Sequence, residues 1–387
     1  MSDFIAPGAT LGVMGGGQLG RMFVHAAQQL GYAVAVLDAD AVSPAGQVAQ
    51  HHIRAGYVDA VGLAQLADQS AAITTEFENV PAESLAILGR RRPVAPGAQA
   101  VAVCQDRLAE KAHFRQCEVP CAPHVRIETE ADLAAVDAAL LPGILKTSRL
   151  GYDGKGQARV HDRAQLAAAW ASLGKVTCVL EQMLPLAAEL SVIVARSAAG
   201  EIVHLPVQHN LHRDGILAVT TVPAPDVPAA TQQLAVQHAQ RIAASLAYVG
   251  VLCVEFFVLR DGSLAANEMA PRPHNSGHYS LDACDVSQFE LQVRAMTGAP
   301  LVAPRLHSPC VMLNLLGDLW WRGDAADAAE PDWARVLALP GVHLHLYGKA
   351  EARRGRKMGH LTVTAASTDE ARRIALQAAA ALGIEAF

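Results

Sequence analysis

Long apolar runs, paired cysteines and a basic charge balance are all missing from this sequence of 387 residues. No segment offers the ~18 uninterrupted apolar residues that a membrane-spanning helix needs, and no basic leader precedes an apolar run, so we expect neither membrane insertion nor export. The seven cysteines are odd in number and scattered. The close pair Cys117 and Cys121 lacks the C-x-x-C spacing of a zinc site, so we expect reduced thiols in a cytoplasmic protein. The net charge of −6 lacks the basic field that a nucleic-acid-binding face requires.

Apolar material for a large core is present, because 51% of the residues are hydrophobic, and the length predicts two or three domains. From Thr10 to about Cys104 strands and helices alternate, which is typical of an α/β domain with a parallel sheet. Hairpin-like strands with few helices continue to about Pro300 and predict an α+β domain. Two apolar strands and a closing helix, Thr368 to Leu382, form the tail. We therefore predict domains at residues 1–104, 105–300 and 301–387.

The stretch GVMGGGQLG, from Gly12 to Gly20, lies between a predicted strand and a predicted helix. Its Gly15, Gly17 and Gly20 match G-x-G-x-x-G, and Asp38 ends the next apolar run, where a ribose-binding carboxylate is expected. The physical content of the pattern is a helix N-terminus whose bare amides attract phosphate. The motif alone leaves two interpretations open: dinucleotide binding, or glycines that only permit tight packing of the strand against the helix.

A pair of glutamates stands out in a predicted hairpin. The dipeptide Asp261–Gly262 lies between two strand-like runs and favours a two-residue type I′ turn. If this dipeptide is the loop, Arg260 faces Ser263, and Glu255 lies directly opposite Glu268. Carboxylates ~5 Å apart repel by roughly 3 kcal/mol at an effective dielectric near 20, so a cation is expected between them. Two hard carboxylate ligands suit magnesium. The alternative is that one glutamate is solvated or paired with an arginine.

A second cluster lies in ILKTSRLGYDGKGQARV, residues 144–160. A predicted strand carrying Lys146 leads into a loop with Gly151, Gly154 and Gly156. Such a loop can fold backbone amides over phosphate oxygens while the lysine supplies a point charge. The alternative is an ordinary hairpin with an exposed turn. Further along, a strand end followed by Glu189 can offer backbone groups to a purine edge and a carboxylate to ribose hydroxyls.

Taken together, these motifs resemble the ATP-grasp superfamily over nearly the whole chain. The strings GGGQLGRM, TTEFENV, KTSRLGYDGKGQ, VEFF and NEMAPRPHNSGH are similar to the family of 5-(carboxyamino)imidazole ribonucleotide synthases, which use ATP and bicarbonate to carboxylate aminoimidazole ribonucleotide in purine synthesis. The resemblance implies an ATP-grasp fold with an N-terminal Rossmann-like domain, a central two-lobed ATP-binding domain and a small β-rich C-terminal domain. It also implies ATP and Mg²⁺ as cofactors, carboxyphosphate as the intermediate and a homodimer. Ala270 departs from the Glu-x-Asn pattern of many relatives, so only Glu255 and Glu268 are expected as protein ligands of the metal.

The resemblance assigns three groups of site residues. The implied ATP contacts are Arg107, Lys146, Gly151, Tyr152, Asp153, Gly154, Lys155, Gly156, Gln157, Glu181, Gln182, Met183, Leu184, Glu189, His212, Asn267 and Glu268. The candidates around bicarbonate and the reacting amine are Lys155, Arg272, His274, Asn275 and Ser276. The implied contacts of aminoimidazole ribonucleotide are Gln18, Leu19, Glu76, Tyr152, Lys349 and Arg356. The N-terminal glycine loop is therefore expected to face a ribonucleotide rather than NAD.

Alternatives from other classes remain at this stage. The cluster around Lys349 and Arg356 sets five basic residues against Glu351 and is, in the alternative interpretation, a solvated basic turn. A dehydrogenase would leave the glutamate pair unexplained. A formate-dependent glycinamide ribonucleotide transformylase shares most of the machinery and is separated by its use of formate instead of bicarbonate. A non-catalytic nucleotide-binding protein would bind ATP without turnover.

Overall fold

The N-terminal region of the computed structural model, which describes residues 4–151, 155–321 and 328–387, is built on a parallel sheet. The elements are β1 (Thr10–Met14), α1 (Gln18–Gln29), β2 (Ala33–Leu37), β3 (His51–Ile53), α2 (Ala60–Gln69), β4 (Ala72–Thr75), α3 (Ala82–Gly89) and α4 (Ala98–Cys104). The strand order is β3-β2-β1-β4, and all three neighbouring pairs run parallel. The alternation of strands and helices therefore predicts this sheet correctly.

The next region forms a small lobe with a four-stranded antiparallel sheet in the order β5-β8-β6-β7. Its elements are α5 (Arg107–Gln116), β5 (His124–Ile127), α6 (Glu130–Ala135), β6 (Gly143–Thr147), β7 (Gln157–Val160), α7 (Arg163–Ser172) and β8 (Cys178–Gln182). The loop from Gly151 to Gly156 connects β6 to β7, and its residues 152–154 lie outside the described part of the chain.

The rest of the chain is organised around one large sheet in the order β14-β13-β9-β11-β12-β15-β17-β16, with β10 paired to β9. Its elements are β9 (Leu186–Arg196), β10 (Ile202–His204), β11 (Gln208–Arg213), β12 (Ile216–Val222), α8 (Ala229–Ser245), β13 (Gly250–Leu259), β14 (Leu264–Ala270), α9 (Ser280–Ala283), α10 (Gln288–Thr297), β15 (Cys310–Leu316), α11 (Trp333–Leu337), β16 (Val342–Leu346), β17 (Lys357–Thr364) and α12 (Thr368–Leu382). The β-rich tail is thus continuous with the sheet of the central region through the pairing of β12 with β15. No helix in the described ranges is both long enough and apolar enough to span a membrane.

Helices cover both faces of the large sheet, which explains the nearly continuous apolar run in β13. On one face Val254 packs in a cluster with Ile242 of α8, and on the other Cys253 packs in a cluster with Leu291 of α10. Because alternate residues of a strand face opposite sides, Glu255 shares the face of Cys253. Core packing gives no reason for a carboxylate in such a strand.

Candidate active site

The β13–β14 hairpin turns through three residues, 260–262, and not through the two that the sequence predicts. The N–H of Leu259 donates to the carbonyl of Ser263 at 2.8 Å, which closes the loop. Gly262 has a φ of +84°, the left-handed conformation that three-residue hairpin loops place at their last position. The predicted pairing of Arg260 with Ser263 is therefore wrong, because the loop contains one more residue than expected.

A β-bulge in β14 restores the predicted pairing further along the hairpin. Phe256 lies opposite Ala266, and the next pair is Glu255 with Glu268, which leaves Asn267 as the extra residue. The predicted pairing of the two glutamates is confirmed. Bulges redirect side chains next to active sites, and here the Oδ1 of Asn267 accepts a hydrogen bond from Lys146 Nζ at 3.4 Å. The hairpin thus sets two carboxylates side by side and turns Asn267 towards the small lobe.

The two glutamates lie in different electrostatic environments. Burial raises the pKa of Glu255, and the neighbouring Glu268 carboxylate raises it further against the opposing effect of His212. Desolvation also acts on Glu268, but Arg107 and Lys146 outweigh it and lower the pKa of that carboxyl group. The Nη1 of Arg107 is 2.8 Å from Glu268 Oε2. The positive charge expected beside the pair is therefore supplied to Glu268, and Glu255 is left with less compensation.

This donor set fits a hard divalent cation. Two carboxylates on adjacent strands offer oxygen ligands, as magnesium prefers, and leave its other positions to water and phosphate oxygens. The nearest nitrogen ligand is His274, whose Nε2 is 3.6 Å from Glu255 Oε1. Burial, together with Arg272 and Lys357, holds the pKa of His274 well below its usual range, so this ring does not neutralise Glu255. A cation between the glutamates would relieve the remaining repulsion.

Lys146 on β6 shares a buried carboxylate with a second lysine. Its Nζ is 3.1 Å from Glu181 Oε2, and Lys111 Nζ is 3.1 Å from the other oxygen of the same group. Burial opposes ionisation of Glu181, but the two lysines lower its pKa. Burial also lowers the pKa of Lys146. A buried lysine held in this way does not belong to an ordinary exposed hairpin, so the geometry favours the phosphate-binding interpretation of the loop.

A cleft of about 610 Å³ opens between the small lobe and the large sheet. The predicted ATP-contact residues that line it are Arg107, Lys146, Lys155, Gln157, Glu189, His212, Asn267 and Glu268. His212 forms an ion pair with Glu189. Although burial lowers it, the pKa of His212 is raised to about 9 by this partner and by Glu255. The lining of the cleft therefore combines the cations Arg107, Lys146 and His212 with carboxylates.

The other predicted ATP contacts among the described residues lie outside the lining of this cleft. Gly151 lines a neighbouring cavity, and Glu181 supports Lys146 from behind. The Gln182 side chain donates to the carbonyl of Ala139. The N–H of Met183 donates to the Pro142 carbonyl at 3.0 Å, so this amide is already engaged in the ligand-free chain. Gly156 directly precedes β7 and has a φ of +71°. Leu184 lies two residues before the start of β9. Tyr152, Asp153 and Gly154 fall outside the described residues.

The amides at the start of α1 are occupied by Glu76, which follows β4. The N–H groups of Gly17 and Gly20 donate to the two oxygens of Glu76 at 2.8 and 2.9 Å. A Cβ on Gly17 would lie 2.5 Å from Glu76 Oε1, so the close approach of this carboxylate requires glycine. Asp38 accepts hydrogen bonds from a loop amide and from Tyr57 Oη at 2.7 and 2.6 Å. Two amides at the positive end of the helix are thus satisfied within the chain, and a dinucleotide would have to displace both carboxylates.

A second cavity, of about 490 Å³, lies between the N-terminal region and the β13–β14 hairpin. Gln18, Leu19 and Glu76 line it, as do Arg272, His274 and Asn275. The residues that line both this cavity and the 610 Å³ cleft are Arg107, Glu255, Glu268, His274, Asn275 and Lys357. The carboxylate pair therefore lies where the two spaces meet.

In the segment after β14, some polar side chains line the cavity and one lies buried behind them. Arg272 pairs with Glu78 at the cavity wall. The Nδ1 of His274 is 2.9 Å from Ser276 Oγ, and Ser276 is fully buried. Among the described residues that line the two spaces, His274 and Asn275 are present and Ser276 is not. Ser276 accordingly acts on His274 and does not face the cavity itself.

The basic cluster of the tail lies beside the N-terminal region. A Cβ on Gly348 would be 2.9 Å from an Nη atom of Arg21 in α1, so the first and last regions of the chain meet there. Lys349 Nζ donates to the Lys357 carbonyl at 2.5 Å, and Arg356 donates to a backbone carbonyl of its own loop. Neither side chain lines the 490 Å³ cavity in this ligand-free arrangement, whereas Lys357 does. The assignment of Lys349 and Arg356 to the substrate phosphate stays a prediction.

Sequence reasoning missed several charged groups of the site. Lys111 lies on the amphipathic helix α5, and nothing in the sequence pattern distinguishes it from an ordinary helix-face lysine. In the structure it is the second lysine paired with Glu181. Lys357 was counted only as one member of the basic cluster. Glu78 stands in the string TTEFENV but was not singled out. Glu110 lines the 490 Å³ cavity, and burial is the main cause that raises its pKa to about 8. Lys111 and Glu110 join the site because α5 packs against β14, where Glu110 accepts a hydrogen bond from the Met269 N–H.

Three family models cover most of the chain in succession. The ribonucleotide synthetase preATP-grasp domain matches residues 8–105, the ATP-grasp domain residues 112–289, and the phosphoribosylaminoimidazole carboxylase C-terminal domain residues 310–374. With the two-lobed cleft and the paired glutamates, they define an ATP-grasp protein.

Comparison with individual proteins narrows the family further. N5-carboxyaminoimidazole ribonucleotide synthase of Brucella melitensis biotype 1 is 44% identical over 92% of this chain and 97% of its own, and the Bacillus subtilis enzyme is 43% identical over 95% of this chain and 94% of its own. The chain belongs to the N5-carboxyaminoimidazole ribonucleotide synthase family. Among solved structures, the Staphylococcus aureus synthetase complexed with ADP is 37% identical with a TM-score of 0.89, over 97% of this chain and 98% of its own. The Aspergillus clavatus synthase in complex with ADP and 5-aminoimidazole ribonucleotide is 33% identical with a TM-score of 0.88, also over 97% and 98%.

Proposed function

We propose that this chain catalyses the ATP-dependent carboxylation of 5-aminoimidazole ribonucleotide with bicarbonate, which gives 5-(carboxyamino)imidazole ribonucleotide, ADP and phosphate. The single observation that carries the proposal is the junction of two cavities at Glu255 and Glu268. Two substrates can enter from opposite sides and meet at a pair of carboxylates. Family membership supports the identity of both substrates, because one solved relative holds ADP together with 5-aminoimidazole ribonucleotide.

Bicarbonate has no leaving group, so the reaction needs activation before carbon–nitrogen bond formation. Transfer of the γ-phosphoryl group of ATP to a bicarbonate oxygen gives carboxyphosphate and ADP. The exocyclic amine then attacks the carbonyl carbon of carboxyphosphate, or of carbon dioxide released from it. Phosphate leaves, and the amine loses a proton. The chain supplies no nucleophile and acts by positioning and charge stabilisation.

Arg107 and Lys146 are the cations that this reaction needs on the ATP side. Both face the cleft, and in the ligand-free chain both are held by carboxylates, Glu268 and Glu181 respectively. Phosphate oxygens would compete with these carboxylates for the same donors. Glu189 and His212 form a polar pair further along the cleft wall, where a ribose can bind.

Magnesium is the metal we assign to Glu255 and Glu268, and when bound it would neutralise charge on the ATP phosphates. The support is the donor set itself: two opposed carboxylates, one of them with its pKa raised by burial and by the other charge. On the substrate side, Glu76 already occupies the amides of α1, so the ribonucleotide would contact the outer surface of this loop through Gln18 and Leu19. We also assign a homodimer, supported by the family resemblance and tested by sedimentation of the purified chain.

The deciding experiment measures ADP release with ATP and Mg²⁺ when 5-aminoimidazole ribonucleotide and bicarbonate are both present, and when each is omitted. We expect full turnover only with both. Replacement of bicarbonate by formate and of the substrate by glycinamide ribonucleotide tests the transformylase alternative, and turnover in that arm alone would reject our proposal. Glu268→Gln should abolish turnover, and Glu201→Gln, an exposed glutamate outside both cavities, serves as the matched control.

A further inference from the structure

Three side chains of types that bind metals converge near the substrate-side cavity, the 490 Å³ space lined by Gln18 and Arg272. They lie outside the site described above. They are Asp282 of α9, His345 of β16 and His360 of β17, and one ligand atom from each lies within 4.8 Å of the others. The sheet register sets His345 directly opposite His360. His343, two residues earlier on the same face of β16, has its Nδ1 3.8 Å from Asp282 Oδ1. Three separate elements thus bring imidazole and carboxylate groups to one point.

His360 is the informative member of this cluster. Its side chain is fully buried, and its Nδ1 is 3.0 Å from the Oη of Tyr347. Within the described residues its Nε2 has no hydrogen-bond partner. A buried polar atom without a partner is rare and calls for an explanation. If the Nδ1–H of this ring donates to the Tyr347 hydroxyl, the lone pair of Nε2 is available, which is the usual arrangement of a metal-binding histidine.

An ion pair accounts for only part of the cluster. His345 Nε2 is 2.9 Å from Asp282 Oδ2, so these two groups satisfy each other without a metal. The same pair does not engage His360, whose ring stacks on that of His345 with centroids 4.5 Å apart. Burial and the neighbouring His278 and His345 rings hold the pKa of His360 well below its usual range.

We propose that Asp282, His345 and His360 form a binding site for a divalent transition metal ion, with zinc as the best fit. Two imidazoles and one carboxylate suit zinc, cobalt or nickel, whereas magnesium prefers oxygen ligands alone. Tetrahedral zinc requires ligand atoms ~3.3 Å apart, so ligand atoms that are now up to 4.8 Å apart must close by up to about 1.5 Å and the stacked rings must tilt. A water molecule or His343 completes the coordination.

The position of the site gives the metal a structural consequence. It would join α9 to the β16–β17 hairpin, two elements that are far apart in sequence. His278, which lines the substrate-side cavity, has its ring 4.9 Å from that of His360. The metal would therefore brace the wall of this cavity without touching the carboxylate pair. This inference does not depend on the reaction that the chain catalyses.

The test uses the full chain, freed of any affinity tag and stripped with a chelator, and titrates it with Co²⁺. We expect visible d–d absorption bands at stoichiometric cobalt, displaced by zinc and unaffected by excess magnesium. Asp282→Asn keeps the side-chain shape, and His360→Gln keeps a polar side chain while it removes the imidazole ligand; each should weaken cobalt binding by about 100-fold or more. His161→Gln removes an exposed histidine outside the cluster and should bind as the wild type does.

The outcomes divide cleanly. Bands that are lost in the two variants and kept in the control support the site. Absence of bands in the wild type, or equal binding by all four proteins, overturns it and leaves a His345–Asp282 ion pair. Should the variants fail to fold, crystals of the wild type grown with zinc decide by anomalous scattering: a peak bounded by the three residues supports the site, and its absence rejects it.

Discussion

Replacing each active-site glutamate by glutamine separates the two roles that the structure gives them. Both changes preserve side-chain shape and remove one charge, and both should abolish turnover. Their effects on stability should differ in sign, because burial penalises the ionised form of Glu255 whereas Glu268 is paired with Arg107 at 2.8 Å. We expect Glu255→Gln to raise the free energy of unfolding of the ligand-free chain and Glu268→Gln to lower it.

The magnitudes follow from the pKa shifts. The pKa of Glu255 rises from 4.5 to about 7, mainly through burial. At about 1.4 kcal/mol per unit, the ionised group costs up to about 3 kcal/mol. Because the folded pKa is raised, the stability contributed by the protonated form is present below about pH 4.5 and lost as the pH rises through about 7. The pKa of Glu268 falls from 4.5 to about 2, chiefly because Arg107 outweighs desolvation. Its side chain is 41% exposed, so solvent screening reduces the corresponding loss to about 1 kcal/mol.

The assay is urea unfolding of wild type and both variants in chelator, at about pH 8 and about pH 5. Glu255→Gln should exceed the wild type by about 2 to 3 kcal/mol at the higher pH and match it near the lower one. Added Mg²⁺ and ATP should stabilise the wild type most, since each variant lacks one metal ligand. The reasoning is refuted if the two variants shift stability in the same direction, or if the gain of Glu255→Gln is independent of pH.

Three further predictions follow from the cavities. Arg149 lines the substrate-side cavity and Lys155 lines the ATP-side cleft. Trypsin cleavage at these two residues, followed by mass spectrometry, should slow when ATP and Mg²⁺ are present. Equal cleavage rates with and without ATP would argue against closure of the loop over phosphate. Lys349→Ala and Arg356→Ala should raise the KM for 5-aminoimidazole ribonucleotide strongly and that for ATP little, and unchanged constants would reassign the cluster to surface charge. NAD should show no saturable binding by calorimetry, because a carboxylate of the chain itself caps α1; stoichiometric binding would contradict that.

Regular periodicity explains which elements the sequence predicts well. The closing helix lies at the predicted Thr368–Leu382, bounded by the Ser367 cap and by Gly383 with a φ of +74°. The strand β17 was missed, because its first four residues, Lys357 to His360, include two basic residues and a glycine and do not form an apolar run. That segment becomes a strand through its neighbours: β15 pairs on one side and β16 on the other. Tertiary pairing of this kind leaves no local signal.

The glutamate pairing was predicted correctly although the hairpin differs from the prediction at two places. The two differences shift the strand register in opposite directions and cancel. The hairpin loop has one residue more than the dipeptide Asp261–Gly262 indicates, which alone would shift the register. The bulge at Asn267 adds one residue to β14 and returns Glu255 to its place opposite Glu268. A one-residue slip in register moves every later side chain to the other face of a sheet. The two charges are therefore held on one face by the bulge, and a variant without it would separate them.

The glycine loop shows why the ligand of a site cannot be deduced from its local motif. G-x-G-x-x-G creates free amides at the start of α1, and these amides select negative charge of any kind. What fills them here is Glu76, more than fifty residues further along the chain, brought to Gly17 and Gly20 because β4 lies beside β1 in the sheet. Glu76 thus occupies two of the amides at the N-terminus of α1, and a ligand can contact the outer surface of the loop. Which ligand that is depends on the cavity that Arg272 and His274 complete from a distant part of the sequence.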